Sequence, residues 1–175
     1  IAEESIQKRA VVYDSSDDSH YDTISAFIKS MRGSDPDAAL FWLAKMLYAG
    51  EDPRFIVRRI IICASEDVGN ADPHALLLAN AALSAVEFVG MPEAQIILAQ
   101  AVTYIACAPK SNTATTSISK AMGDVKAGVS TVVPDHLRDA SYSSAKKFGH
   151  GVEYKYPHSF EGHYIIAFHD RLKRF

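Results

Sequence analysis

The residues that could do chemistry are unevenly placed along this chain. Four of its seven histidines, His150, His158, His163 and His169, fall within the last 26 positions. Imidazoles hold zinc when their spacing lets them converge, as at i, i+4 on a helix, and no pair here has that spacing or a tight-turn spacing. Glu66 and Asp67 are adjacent. Helical neighbours point about 100° apart, so these two do not form an acid–base pair. Arg59 and Glu66 would share a helical face two turns apart, and could bracket a partner or simply face solvent. The segment Tyr154-Lys155-Tyr156-Pro157-His158, with Arg138, Lys146 and Lys147 upstream, interleaves aromatic and basic side chains. Such a mixture can stack on bases and contact phosphates, or it can pin an extended tail to a helical body. No G-x-x-x-x-G-K-S/T or G-x-G-x-x-G phosphate-binding loop occurs, and no H-E-x-x-H, C-x-x-C or G-x-S-x-G motif. The sequence therefore points to no catalytic, cofactor-binding or metal site of its own.

Composition narrows the class. The chain has 175 residues, 48% of them hydrophobic and 22% charged, which suits a single globular domain with a real core. No run approaches the roughly 18 apolar residues of a membrane span, and no secretory signal pattern opens the sequence. The first residue is Ile, which suggests a piece of a longer protein. Cys63 and Cys107 lie inside apolar runs without metal or redox spacing, so two buried free thiols in a reducing compartment are expected. Residues 1–125 carry 10 Lys/Arg against 16 Asp/Glu, a net −6, whereas residues 126–175 carry 8 against 5, a net +3. A surface for a polyanion belongs towards the C-terminus.

The elements that must position these residues are written most clearly between Ser34 and Ala108. Four times a Pro-containing turn precedes an apolar run: Ser34-Asp35-Pro36-Asp37, Glu51-Asp52-Pro53, Ala71-Asp72-Pro73 and Gly90-Met91-Pro92-Glu93. Asp before Pro can accept the unpaired N–H groups of the first turn, where Pro loses nothing by lacking its own. Gly50, Gly69, Gly90 and Pro109 are the stops. Helices are expected over 35–49, 53–68, 73–89 and 92–108. A fifth, over 21–32, carries Ile24, Phe27, Ile28 and Met31 on one face before Gly33, and a sixth runs from about 112 to 126. Residues 1–12 resemble the end of a helix, and 14–19 a polar hinge. After a short β-prone run at 129–133, turns of helix are expected at 135–140 and 143–148. The aromatic remainder is expected to wrap over the helices. The expected class is all-α, with about six to eight helices and an irregular aromatic C-terminal tail.

Helices 35–49, 73–89 and 92–108 are apolar nearly all round, and such helices must be covered nearly all round. Three exceed what one chain of this size can bury centrally, so coverage by another subunit is the favoured reading. Leu77, Leu78, Val86, Ile97 and Ala101 are the candidate interface residues. In helix 53–68, Ile56, Ile60, Cys63 and Ala64 form the inward stripe. Arg58, Arg59, Lys110, Arg138, Lys155, Tyr156 and His158 are the candidate DNA or interdomain contacts.

Five blocks in order carry a family resemblance: RGSDPDAALFWLAKML (Arg32–Leu47), GEDPRFIVRRIIICASEDVGNADPHAL (Gly50–Leu76), APKSN (Ala108–Asn112), VPDHLRDA (Val133–Ala140) and YKYPHSF (Tyr154–Phe160). Together they closely resemble the C-terminal region of the RarA/MgsA family of replication-associated recombination AAA+ ATPases, which is related to Werner helicase-interacting protein. The resemblance implies an absent N-terminal ATPase module that holds ATP and Mg, followed by a helical lid and an all-α region through which subunits assemble, typically as tetramers. Residues 1–19 would be the end of the lid plus an acidic linker, and 20–175 the oligomerisation domain. The resemblance further implies DNA-dependent ATPase activity in the full-length protein, action at stalled forks and single-strand/duplex junctions, and association with single-strand binding protein. It also implies a cytoplasmic, nucleoid-associated location. The alternative function is a nucleic-acid-binding module that contacts such junctions through the basic aromatic segment.

Overall fold

The computed structural model describes residues 17–128 and 132–163, and these are helical or irregular, with no strand among them. The chain is all-α. Six α-helices follow in order: α1 Asp17–Arg32, α2 Pro36–Tyr48, α3 Pro53–Cys63, α4 His74–Val89, α5 Ala94–Cys107 and α6 Thr113–Lys126. Residues 1–116 and 117–175 form two compact units.

In the first unit the Asp-Pro turns work as caps. Asp35 accepts the Ala38 N–H at 2.9 Å, Asp52 that of Arg54 at 2.9 Å, and Asp72 that of His74 at 3.1 Å. Each satisfies a donor that the first helical turn leaves unpaired. The fourth turn is built differently. Glu93 makes no side-chain cap, and α5 opens at Ala94.

α1 packs on α2, α4 on α5, and α5 also meets α2, so α5 is covered from several sides. Phe27, Met31, Met46, Ile56, Ile60, Leu98 and Ile105 are fully buried at the centre. The inward stripe expected over 53–68 holds, with Ile56, Ile60 and Cys63 of α3 and Ala64 just beyond it all in the core. Small residues (Ala75, Ala79, Ala82, Ala94, Ala101) line the buried faces of α4 and α5, which lets these helices approach closely.

Three expectations need correction. The polar stretch around 14–19 is not all hinge, because α1 already begins at Asp17. Acidic residues suit a helix N-terminus whatever their hydropathy pattern. The helix expected over 53–68 stops being an α-helix at Cys63, where a π-turn, Ala64–Val68, and a 3₁₀ turn, Gly69–Ala71, follow. Glu66 lies in the π-turn and faces Arg32 of α1. Cys63 is buried, but Cys107 is exposed, since it lies in the last turn of α5 on the side away from the core.

The second unit contains short 3₁₀ turns at Asp135–Leu137, Ala145–Phe148, Pro157–Ser159 and Glu161–His163. Ala145 is its buried side chain, and Gly149, at φ 76°, closes the turn that precedes it. The helix end expected at 1–12, most of the β-prone run at 129–133 and His169 lie outside the described residues.

Candidate functional site

Three of the five family-like blocks meet at one end of the first unit: the end of α1, the turn after α3, and the strap that follows α5. Arg32 Nε donates to Asp67 Oδ1 at 2.6 Å, and its Nη2 lies 3.4 Å from Glu66 Oε1. Asp67 is 8% exposed at its side chain and Arg32 46%. The carboxylate is thus desolvated while the guanidinium keeps contact with water. The bond to Asp67 raises the already high pKa of Arg32 further. Beneath them, burial pushes the Cys63 thiol up to about 12, and the charge of Asp67 adds to this.

The strap closes the same junction from the other side. The Ser111 N–H donates to the Asp67 carbonyl at 2.7 Å. Gly69, at φ +52°, passes so close that a Cβ there would lie 2.8 Å from the Ser111 carbonyl oxygen. A side chain at 69 is excluded on both counts. Lys110 turns inward. Its Nζ lies 3.0 Å from the Ile105 carbonyl, 2.9 Å from that of Ala106, 2.7 Å from that of Ala108 and 3.0 Å from Ser34 Oγ. The ammonium therefore occupies the carbonyl end of α5, where unpaired acceptors and the helix dipole both favour a cation. Burial lowers its pKa, against the raising effect of nearby Cys63, Cys107 and Asp67. Lys110 is therefore not available as a DNA contact, because its donors are already used on the end of α5.

A second feature of this unit is apolar. The outer side of α4 exposes Leu76, Leu77, Phe88 and Val89, with Phe88 at 92%. Its one acidic residue, Glu87, is paired with Arg54 of α3 at 2.9 Å. On α5, Ile96 is exposed, and on α2, Phe41 and Tyr48. An open groove of about 610 Å³ lies between α2 and the start of α5, lined by Leu40, Leu43, Leu47, Met91 and Gln95 among others.

Of the candidate interface residues, Leu77 is 67% exposed and Leu78 half-buried, while Ile97 is partly buried against the core. Val86 and Ala101 are 4% and 1% exposed. Both are buried within this chain and have no surface to lend to another. Arg58 is exposed, and Arg59 is half-buried with its Nε lacking a hydrogen-bond partner among the described residues.

In the second unit Arg138 is committed locally. Its Nε donates to the Val133 carbonyl at 3.1 Å, its Nη1 lies 3.2 Å from His150 Nε2, and Asp135 is 3.3 Å away. Tyr142 hydroxyl and His150 Nδ1 form a hydrogen bond. Lys155, Tyr156 and His158 are exposed, with the Tyr156 and His158 rings 5.1 Å apart. No group of His, Cys, Asp or Glu among the described residues is arranged to hold a metal ion, and no described helix is long and apolar enough to cross a membrane. The Arg32–Asp67 clamp escapes sequence reading because it joins residues thirty-five positions apart, and the inward turn of Lys110 because a basic residue just past a helix can equally face solvent. The available signal was the joint presence of the three blocks in the family pattern.

Comparison with known proteins places the chain in a family. Residues 33–170 match the family described as MgsA AAA+ ATPase C terminal, and residues 1–32 match the AAA C-terminal domain. The class is thus the helical C-terminal region of an AAA+ ATPase rather than the ATPase module itself. Within that class, the chain belongs to the MgsA C-terminal family. It is 45% identical over 164 residues to replication-associated recombination protein A of Bacillus subtilis, covering 94% of this chain and 39% of that protein. An uncharacterized AAA domain-containing protein of Mycobacterium tuberculosis is 58% identical over 89% of this chain and 34% of its own length. ATPase WRNIP1 of Dictyostelium discoideum is 42% identical, over 89% of this chain and 18% of its own. The chain spans little more than a third of the length of the two bacterial relatives.

Proposed function

We propose that this chain is the oligomerisation region of a replication- and recombination-associated AAA+ ATPase, and that it assembles with copies of itself, as a tetramer. The reading is carried by the largely apolar outer side of α4, where Phe88 and Leu77 stand in water although apolar surface of this kind gains about 25 cal/mol for each Å² removed from it. Glu87, the one acid of that helix, is already neutralised by Arg54. A self-associating surface whose one carboxylate is already paired avoids the cost of burying a lone charge. The names of the relatives support the wider role, in which the assembled protein holds ATPase modules that bind ATP and Mg. The proposal further assigns that protein DNA-dependent ATP hydrolysis at stalled forks, in partnership with single-strand binding protein, in the cytoplasm at the nucleoid.

Light scattering on the chain across a concentration series tests the assembly reading. A stable mass near four times the 19.1 kDa chain is expected. A monomer at every concentration would remove it.

A second reading, contact with single-strand/duplex DNA junctions, rests on exposed Lys155, Tyr156 and His158 in the second unit. It is weakened by the internal use of Lys110 and Arg138. Salt-sensitive binding of junction DNA by the chain would support it, and no binding at low salt would end it.

A further inference from the structure

The match to the AAA C-terminal domain ends at residue 32, the last residue of α1. Yet α1 does not behave as the tail of a separate segment. Phe27 and Met31 are completely buried and Ile24 nearly so, and all three belong to the same core cluster as α2 to α5. The helix also meets the rest of the domain at both ends. Near its start, His20 Nδ1 lies 3.2 Å from Oε2 of Glu51, a buried carboxylate in the turn between α2 and α3, a contact at ion-pair range that closes no hydrogen bond. At its finish, Arg32 grips Asp67 and Glu66 of the π-turn.

No slack follows α1 either. The Gly33 N–H donates to the Lys29 carbonyl at 2.8 Å and the Asp35 N–H to that of Ser30 at 3.0 Å, and Asp35 at once caps α2. Ser34 takes a left-handed conformation, φ 61°, to make this reversal, and its hydroxyl meets Lys110.

We propose that α1 is a rigid coupling element: it belongs to the preceding AAA+ segment in sequence but to this domain in packing. Displacement of the preceding segment is then carried into the domain through α1, instead of being absorbed at residues 33–35. The role as a coupler rests on the reading that an ATPase module precedes this chain. The anchorage itself does not.

Hydrogen exchange on the chain tests the anchorage. Amides of residues 24–32 should be protected to within about tenfold of those in α5, since both open with the same cooperative unit. In the double variant Glu51→Ala, Arg32→Ala, exchange in α1 should rise on the order of tenfold or more while α5 changes little, because both side-chain contacts have gone but the α5 core remains. Exchange in α1 on the order of 100-fold faster than in α5 in the unaltered chain would overturn the proposal without any variant. Unchanged α1 protection in a folded double variant would overturn the assignment of the clamps. Exchange reports on α1 whatever the mass in solution, so a monomeric chain with a protected α1 would defeat the assembly reading and leave this one standing.

Discussion

Tyr104 on α5 donates its hydroxyl to Oδ2 of Asp72 at 2.8 Å, while the other oxygen of the same carboxylate caps α4. One side chain thus ties the start of α4 to the flank of its neighbour. The Tyr104 bond is the largest cause holding Asp72 below its ordinary 3.8, and it holds the Tyr104 phenol above its ordinary 10.0. The signs differ. Asp72 contributes stability above pH 3.8 that is lost as pH falls through its folded value, and Tyr104 contributes stability below pH 10.0 that is lost as pH rises through its folded value. Tyr104→Phe should therefore move the Asp72 pKa up towards 3.8 and flatten both limbs of the stability profile. NMR titration of Asp72, with melts across pH, reads both effects. An unmoved Asp72 would mean that the bond does not persist in solution.

Lys110 is expected to act on stability rather than on binding. Lys110→Met keeps the stem but strips three helix-end carbonyls of a charged donor, at a cost of about 1–3 kcal/mol in denaturant unfolding. Because burial lowers its pKa, Lys110 favours the folded state increasingly as pH rises towards its ordinary 10.5, which is opposite in sign to Tyr104. Lys110→Met should remove that rise, and the Tyr104→Phe background isolates it. Unchanged stability would show that water replaces the ammonium without loss.

The two thiols should separate cleanly. Cys107 is exposed and should react with a thiol reagent at pH 8 within minutes, at a rate typical of an accessible cysteine. Cys63 is buried with its pKa pushed up to about 12, so it should react only as the domain opens. Timed labelling followed by peptide mapping decides this. Equal rates would place Cys63 in a looser core than the packing of Phe27, Ile60 and Val68 implies.

How much of this was legible is best judged residue by residue. The Asp-Pro caps and glycine stops use local hydrogen bonds, so Asp35, Asp52 and Asp72 can be read from a few neighbouring positions. The stripe of Ile56, Ile60 and Cys63 follows from a period of 3.6. The π-turn at Ala64–Val68 has no comparable local signal, so the shared face expected for Arg59 and Glu66 assumed an α-helix that ends at Cys63. Arg32, absent from the candidate residues, proves to be the partner of Asp67 thirty-five positions away. Lys110 is present among them for the wrong reason, because a basic residue between helices reads equally as a phosphate contact or as a C-terminal cap. Apolarity all round also failed to rank positions within α4. Val86 and Phe88 are alike in hydropathy, yet one is core and the other open to water.

That difference between Val86 and Phe88 supplies the sharpest test of the proposed assembly. Both lie in the last turns of α4, two positions apart, and an aspartate at either adds the same charge. At Val86, 4% exposed, the carboxylate would be forced into the packed side of α4, and desolvating it costs several kcal/mol. Val86→Asp should unfold the chain or lower its melting point severely, without informing on assembly. At Phe88, 92% exposed, the charge stays in water within a single chain, so monomer stability should change by less than about 0.5 kcal/mol. In an assembly that covers this side of α4, the same charge is desolvated and unpaired, and the mass in solution should fall at unchanged helicity. Leu77→Asp should follow Phe88→Asp, since Leu77 is 67% exposed on the same helix. Light scattering and circular dichroism on the three variants separate the cases. If Phe88→Asp and Leu77→Asp both keep the parent mass, the outer side of α4 is not the interface, and the surface around the α2–α5 groove becomes the next to vary.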